Sequence, residues 1–541
     1  MGKWILLTAM MCTLEITTNL ELDNHCRFHQ SSLKGDQLSC TDVGLDYFQK
    51  FNAPLNRTHW LKCDGCILNV LSESAFNVPV RNNISFLDLS NSNVQILRKF
   101  AFLKFPLLKY LNLRNNSIET IDLKAFNSMK KLTQLDLSTN QLKIIINNIF
   151  SELENLDILS LNRNQIFHVQ PEAFSGLINL RYLYLNNNVL KKLEENMFNH
   201  LVNLKILYLE NNKISEIHPK AFLSLRNLNF LYMNNNSISY LVQYNFKPLT
   251  NLLDLQLRSN SLKEIQTSSF NGLKNIKSLY LGDNEISFVK PYGFIGLDSL
   301  HILELVNNKF EFINYFAFFS HMVNLKYLWL RRNLINNFTI DYKYEMNNSL
   351  TVLDLCDNNI SSFNYQQLYQ NMPNIREIFV VNNSWKCDFF SDMYDFFDVK
   401  NVSICSSDNC SLNVTKAYMD DICSDWVATE VSVDETSTDF TTDSSTAHNG
   451  ALITFTVSLL LFTRYTTALV ITKKSQLNEK SIEITRKWLV QTQTYEVWLL
   501  NNRTDAAIRP ASVSRQVLNR TVSGDTFPTL ISLDKLVGRS V

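Results

Sequence analysis

The chain has 541 residues, with 51 Lys/Arg against 51 Asp/Glu and a formal net charge of zero. That balance offers no basic footprint for a nucleic acid, and twelve glycines in the whole chain argue against phosphate-cradling loops as a theme. The charge is unevenly placed: residues 451–541 hold twelve Lys/Arg and six Asp/Glu, which leaves the first 450 residues at minus six.

Residues 1–18 read as a secretory signal. Lys3 supplies the positive start, and Trp4–Leu14 is apolar but too short to span a membrane; a buried N-terminal strand is the alternative. Export places the cysteines in an oxidising compartment. Cys12 leaves with the signal, and Cys26, Cys40, Cys63 and Cys66 fall in residues 19–80. Four cysteines allow three pairings, and spacing does not choose among them. Cys63-x-x-Cys66 also admits a zinc reading, although no second ligand pair has finger-like spacing.

From residue 81 to 385 one motif returns thirteen times. Its clearest copy is Leu204-Lys-Ile-Leu207-Tyr-Leu209-Glu-Asn-Asn212-Lys-Ile214, or L-x-x-L-x-L-x-x-N-x-I. The first apolar position recurs from Ile84 to Ile375, with nine intervals of 24 residues and then three of 25. Asn stands at the ninth position in every copy but the first, which has Ser92. A ladder of phenylalanines, Phe102 to Phe318, runs beside it at 24-residue steps. In the L-x-L core of the motif the leucines face one side and the residue between them the other. One such strand cannot bury its leucines alone, so coils must stack and place Leu on Leu. A buried amide without partners costs about 1–3 kcal/mol, so the recurring Asn is expected to bond backbone where the chain leaves each strand. Thirteen strands at ~4.8 Å make a parallel sheet roughly 58 Å long on the concave face.

The pattern resembles the extracellular, 24-residue type of leucine-rich repeat protein found in receptors and matrix proteins, including many insect surface proteins. The resemblance covers about 300 residues. It implies an α/β solenoid, a horseshoe of about thirteen repeats with a parallel concave β-sheet and disulfide-bonded end caps. Two cysteine groups flanking the repeats fit that scheme, because end coils expose an apolar face that a cap must cover. Residues 386–425 hold the second group, Cys387, Cys405, Cys410 and Cys423. Trp385-Lys-Cys387 resembles the opening of the family's C-terminal cap, N-P-W-x-C-x-C, with Ser384 in place of the proline and Phe389 in place of the second cysteine. Cys356 is left over; it follows Leu355 and so points to the concave side, as a shielded thiol or as an interchain bond that would make a dimer.

Eleven N-x-S/T sequons precede residue 420: Asn56, Asn83, Asn115, Asn235, Asn337, Asn347, Asn359, Asn382, Asn401, Asn409 and Asn413. The number fits a glycosylated ectodomain. Residues 426–450 are rich in Thr, Ser, Asp and Glu and read as a stalk. Residues 451–471 are mostly apolar and are followed by Lys473-Lys474, which fits a single transmembrane segment with its C-terminus inside, although Arg464 interrupts it. Residues 472–541 match no motif and read as a cytoplasmic or disordered tail.

No nucleophile, metal or cofactor motif occurs; His301 is expected on the concave surface as a solvated side chain. The informative residues lie between the two strand leucines. Tyr184, Tyr208 and Tyr232 stand on successive rungs there, with Tyr280 and Trp329 further along and Arg181, Lys205, Arg331 and Arg332 at the edges. Six rungs from Tyr184 to Trp329 span roughly 29 Å, the length of one side of a standard interface, and Tyr and Trp dominate interface hot spots. This strip is read as a binding surface for a protein or a glycan; the competing reading is that stacked rings merely cover the sheet. Taken together, the sequence points to a non-enzymatic cell-surface recognition protein, an adhesion molecule or co-receptor, without cofactor or metal and without a nucleic-acid partner. A secreted innate-immune or matrix protein is the alternative.

Overall fold

The computed structural model describes residues 18–21, 25–30, 36–50, 58–76, 83–313, 318, 321–338 and 349–405. Apart from Thr18, the signal read from the sequence lies outside these residues, as do the stalk, transmembrane and tail segments and Cys410, Cys423, Asn56, Asn347, Asn409 and Asn413. No helix among the described residues is long and apolar enough to cross a membrane.

The fold is a leucine-rich repeat solenoid built on one sheet of eighteen strands. Each strand of the repeat is three residues long and pairs in parallel with the same positions of the next coil. Leu87, Leu111, Leu135, Leu159, Leu183, Leu207 and Leu231 form one unbroken file, which continues through Leu303 and Leu328 to Ile378 and Ile404. These side chains are buried throughout. The strand register is thus set by leucine burial, since a one-residue slip would turn every leucine to solvent.

The sheet extends past the thirteen repeats at both ends. At the N-terminus, Asp36–Thr41 and Thr58–Asp64 pair in parallel and carry the file backward through Leu38 and Leu61. Ahead of them, Thr18–Glu21 and Cys26–Gln30 add two antiparallel strands. Cys26–Cys40 bridges Cys26–Gln30 to its antiparallel neighbour Asp36–Thr41, and Cys63–Cys66 closes the turn after the next strand. Both sulfurs of Cys63-x-x-Cys66 are therefore in a disulfide, which replaces the zinc reading. The N-terminal cysteine region is a continuation of the sheet that becomes antiparallel.

At the other end Ser403–Cys405 adds a last parallel strand beside Glu377–Phe379. The helix Cys387–Val399 lies between them in sequence and buries Phe390, Met393 and Phe397 on one face. Cys387 and Cys405 are each in a disulfide. Trp385 donates from Nε1 to the Val380 carbonyl at 2.7 Å and stacks on Phe389 at 5.8 Å. Phe389 thus fills with a ring the place where the related caps carry a second cysteine.

The recurring Asn of the motif clamps two coils. Asn212 accepts through Oδ1 from the Leu190 N–H at 3.1 Å and donates through Nδ2 to the Leu185 carbonyl of the preceding coil at 3.0 Å and the Leu209 carbonyl of its own at 3.1 Å. Asn116, Asn140, Asn164, Asn188, Asn236 and Asn260 repeat this pattern. The residue immediately before the ladder Asn has positive φ in every coil, from Asn91 at 57° to Asn382 at 57°, and seven of those thirteen positions are themselves Asn, the non-glycine residue that enters this region at least cost. A second row, absent from the sequence reading, lies where the chain re-enters the strand: Asn155, Asn179, Asn203, Asn227, Asn251 and Asn275 each donate to a carbonyl 25 residues earlier, at 2.8–3.0 Å.

The return limbs fill the core from the far side. Phe174, Phe198, Phe222, Phe246, Phe270 and Phe294 stack ring on ring at 5.9–6.2 Å. Between residues 83 and 313 no return limb is helical. The limb instead carries two-residue strands such as Ile144–Ile145 and His168–Val169, paired in parallel. The α content implied by the resemblance reduces to short helices such as Tyr365–Asn371 and Cys387–Val399. In the final coils, where the interval is 25, Glu304, Trp329, Asp354 and Phe379 still align across the sheet. The additional residue is therefore taken up on the return limb, outside the sheet.

Candidate functional site

Alternation puts the residue after each buried strand leucine on the concave face. Tyr184, Tyr208 and Tyr232 occupy that position on three adjacent strands in direct register. Their rings stack with centroids 4.5 and 5.0 Å apart and nearly parallel planes. Burial holds all three phenols above the usual tyrosine range. The three rings are half-buried, each with one region facing the concavity.

The five aromatic residues singled out in the sequence do not form one strip. Gln256 separates Tyr232 from Tyr280, and Glu304 separates Tyr280 from Trp329. The guanidinium of Arg258 covers the Tyr280 ring at 4.5 Å while its Nε bonds Glu304 at 3.1 Å. Glu304 also accepts from the Gly282 N–H at 2.9 Å. Trp329 has Tyr327 6.5 Å away as its ring neighbour. Of the edge cations, Arg181 pairs with Asp157, Arg331 reaches Asp354 at 3.4 Å, and Arg332 reaches Asp357 at 3.8 Å. His301 is half-buried with Nδ1 2.8 Å from the Ser299 carbonyl oxygen, so it is held by backbone and its imidazole sits below the usual histidine range through burial.

A further aromatic stack was not read from the sequence. Trp60 lies 4.9 Å from Phe86 with planes 12° apart, and Phe86 lies 6.0 Å from Tyr110. These rings precede the strand leucine and so also face the concavity. The signal was present in the x-L-x pattern, but this column continues as Gln134 and Ile158, which hides its periodicity.

Carboxylates crowd the same face. Burial pushes Glu210 up to about 7 and Asp254 up to about 6, the latter opposed by a hydrogen bond from Gln256 and by the charge of Arg258. Asp136 is raised by burial against a 2.8 Å hydrogen bond from the Ser138 N–H. For Glu210 the folded value lies above the ~4.3 of an unfolded chain, so its contribution to stability is present below that value and is lost as pH rises through 7. The wild-type chain is therefore expected to be less stable at pH 8 than at pH 5, and Glu210→Gln to flatten the difference, as measured by denaturant midpoints at the two pH values. A midpoint shift unchanged by Glu210→Gln would show that this carboxyl does not titrate in the window.

Cys356 is 1% exposed and its thiol is free. It packs in a small apolar cluster on the concave side with Val352, Phe379 and Cys405, and Tyr327 and Val381 lie against it. Burial pushes the thiol up to about 12. That sulfur is shielded within the chain, so the interchain bond considered from the sequence has no exposed thiol to form it. Asn83, Asn115, Asn235, Asn337, Asn359, Asn382 and Asn401 are all exposed. No group of His, Cys, Asp and Glu among the described residues is arranged to hold a metal ion.

Residues 82–142, 154–214, 179–238, 202–262 and 250–310 match the leucine rich repeat family model. No curated protein sequence matches the chain. Among solved structures, a Leptospira interrogans leucine-rich repeat protein aligns at 24% identity and TM-score 0.54 over 68% of this chain and 89% of its own. TLR13 in complex with ssRNA13 aligns at 24% identity and TM-score 0.47, over 64% of this chain and 57% of its own. Drosophila Toll in the Toll–Spatzle complex aligns at 19% identity and TM-score 0.47, over 69% and 66%.

Proposed function

The chain is a leucine-rich repeat protein, and from that premise we propose that it is a non-enzymatic recognition protein of the cell surface, an adhesion molecule or co-receptor, that binds a partner protein through its concave face. The observation that carries this reading is the stack of Tyr184, Tyr208 and Tyr232, in register and with part of each ring open to the concavity. Rings fixed in a stack lose little further conformational freedom on binding, which is why Tyr and Trp are favoured at hot spots. Disulfides at both ends support an oxidising compartment. Seven exposed sequons support a glycosylated ectodomain. The apolar run 451–471 followed by Lys473-Lys474 supports a membrane anchor.

The full chain displayed on cells, with proximity biotinylation to capture neighbours, tests the reading. The Tyr208→Ala, Tyr232→Ala, Trp329→Ala triple variant is expected to lose the captured partner at least about a hundredfold, the scale of one or two hot-spot residues at ~2 kcal/mol each. Unchanged capture at equal surface level would overturn it, and capture that depends on partner glycosylation would assign the face to a glycan. Arg464 within the apolar run favours the second reading, a secreted innate-immune or matrix protein. Recovery of the chain in the medium rather than the membrane fraction would establish that one.

A further inference from the structure

Side-chain polar atoms that are buried without a hydrogen-bond partner are few in folded proteins, and each calls for an explanation. Here seven of them fall on one face and within a few coils: Asp136 Oδ2, Ser138 Oγ, Ser160 Oγ, Asn162 Oδ1, Asn186 Oδ1, Glu210 Oε2 and Asp254 Oδ1. Asp136, Ser138 and Ser160 are 2%, 0% and 1% exposed. Ser138, Asn162, Asn186 and Glu210 hold the same position on four successive coils, two residues past the strand leucine pair's central residue. The row runs alongside the Tyr184–Tyr208–Tyr232 stack. From Asp136 to Asp254 it crosses five strand intervals, roughly 24 Å at ~4.8 Å each.

The chemistry of the row is one-sided. Five of the seven atoms can only accept, and three of those are carboxylate oxygens. Arg114 lies near Asp136 and Arg258 near Asp254, yet neither bonds the unpartnered oxygens, and Arg258 is committed to Glu304. Burial is the main influence on Glu210, opposed by a hydrogen bond from its own backbone N–H. A desolvated carboxylate left in this state is costly, and a partner that brings a positive charge with N–H donors relieves it. The adjacent tyrosine faces are suited to the same group, since a guanidinium stacks on an aromatic ring while donating in its own plane. A neutral sugar would leave the carboxylate charges uncompensated.

We propose that the half-buried carboxylates Glu210 and Asp254, on either side of Tyr232, form with the tyrosine stack a receiving site for arginine side chains of a basic segment in the partner protein, the fully buried members of the row lying behind it. The inference rests on the concave-face reading above and adds the chemistry of the partner to it.

The test uses the full chain and two synthetic probes: a short Ser/Gly peptide carrying three arginines and the same peptide with citrulline, which keeps the shape and removes the charge. The arginine peptide is expected to bind the wild type at least about tenfold more tightly than the citrulline peptide, the worth of one charge-assisted hydrogen bond. The Glu210→Gln, Asp254→Asn variant is expected to lose that preference. A control variant, Glu154→Gln, Glu172→Gln, neutralises two exposed carboxylates on the return limbs and is expected to bind as wild type. Because the first variant removes buried charge, it should fold at least as stably as the wild type, which a denaturant midpoint at pH 8 checks. Equal binding of the two peptides, an unaltered preference in the first variant, or an equal loss in the control would each overturn the proposal. If the triple aromatic variant loses its natural partner while the two peptides bind alike, only the arginine inference falls. If the arginine preference holds while the triple variant keeps its partner, the concave-face reading falls instead.

Discussion

Asn212→Ala is expected to destabilise the solenoid by at least ~3 kcal/mol, because three buried backbone groups lose their partner and each is worth about 1–3 kcal/mol when left unmade. The Leu190 N–H and the Leu185 and Leu209 carbonyls all bond this one amide. Alanine restores none of them. The exception in the first copy predicts the size of a partial rescue. Ser92 stands in the Asn position, and its single hydroxyl proton is shared between the Cys63 and Ser90 carbonyls, each 3.1 Å from Oγ. Asn212→Ser should therefore cost clearly less than Asn212→Ala. Denaturant unfolding of the two variants checks the order, and a cost below ~1 kcal/mol for the alanine variant would show that the ladder is dispensable.

Phe222→Ala is expected to cost about 3–5 kcal/mol, the usual range for truncating a buried phenylalanine, since both the transfer term and the cavity term apply. The ring is fully buried and stacks on Phe198 at 6.2 Å and on Phe246 at 6.1 Å, so its loss leaves a void against two neighbours at once. Phe222→Leu keeps most of the volume and should cost under about 1.5 kcal/mol. The manner of unfolding should change as well. In a stack where each coil touches only the next, stability is a sum of coil and interface terms. Weakening one central coil lets the segments on either side melt separately. Hydrogen exchange should show the amides around residues 190–240 losing protection first, and a single cooperative transition retained in Phe222→Ala would contradict nearest-neighbour stacking.

Much of this architecture is legible in the residues because the repeat averages over local noise. One Leu207 says little, but the same residue at each coil fixes strand, register and facing together. The Asn ladder and the Phe ladder follow for the same reason. The outward direction of Tyr184, Tyr208 and Tyr232 is legible from alternation alone. Their stacking and the break at Gln256 are legible from the matching spacing, whereas the covering of Tyr280 by Arg258 depends on a side chain reaching across coils. The strands Asp36–Thr41 and Thr58–Asp64 escape the pattern because cysteine and polar residues take positions that leucine fills elsewhere. The row of Asn155 to Asn275 sits in a plain L-x-N-L spacing, yet a single Asn on an exposed turn carries no signal of its own. The unpartnered acceptors at Asp136 and Glu210 are the least legible, since the lack of a partner is a property of every neighbour at once.

The additional residue in the last coils has a practical corollary. Growth and shrinkage of the polypeptide can be hosted on the outer limb without moving any rung of the inner wall, because Glu304, Trp329 and Asp354 remain abreast across the longer intervals. An epitope tag or a fluorophore acceptor peptide spliced between Asn308 and Leu325 would thus leave the touching surface intact. The same cassette inserted between Leu207 and Leu209 would throw each later coil out of step.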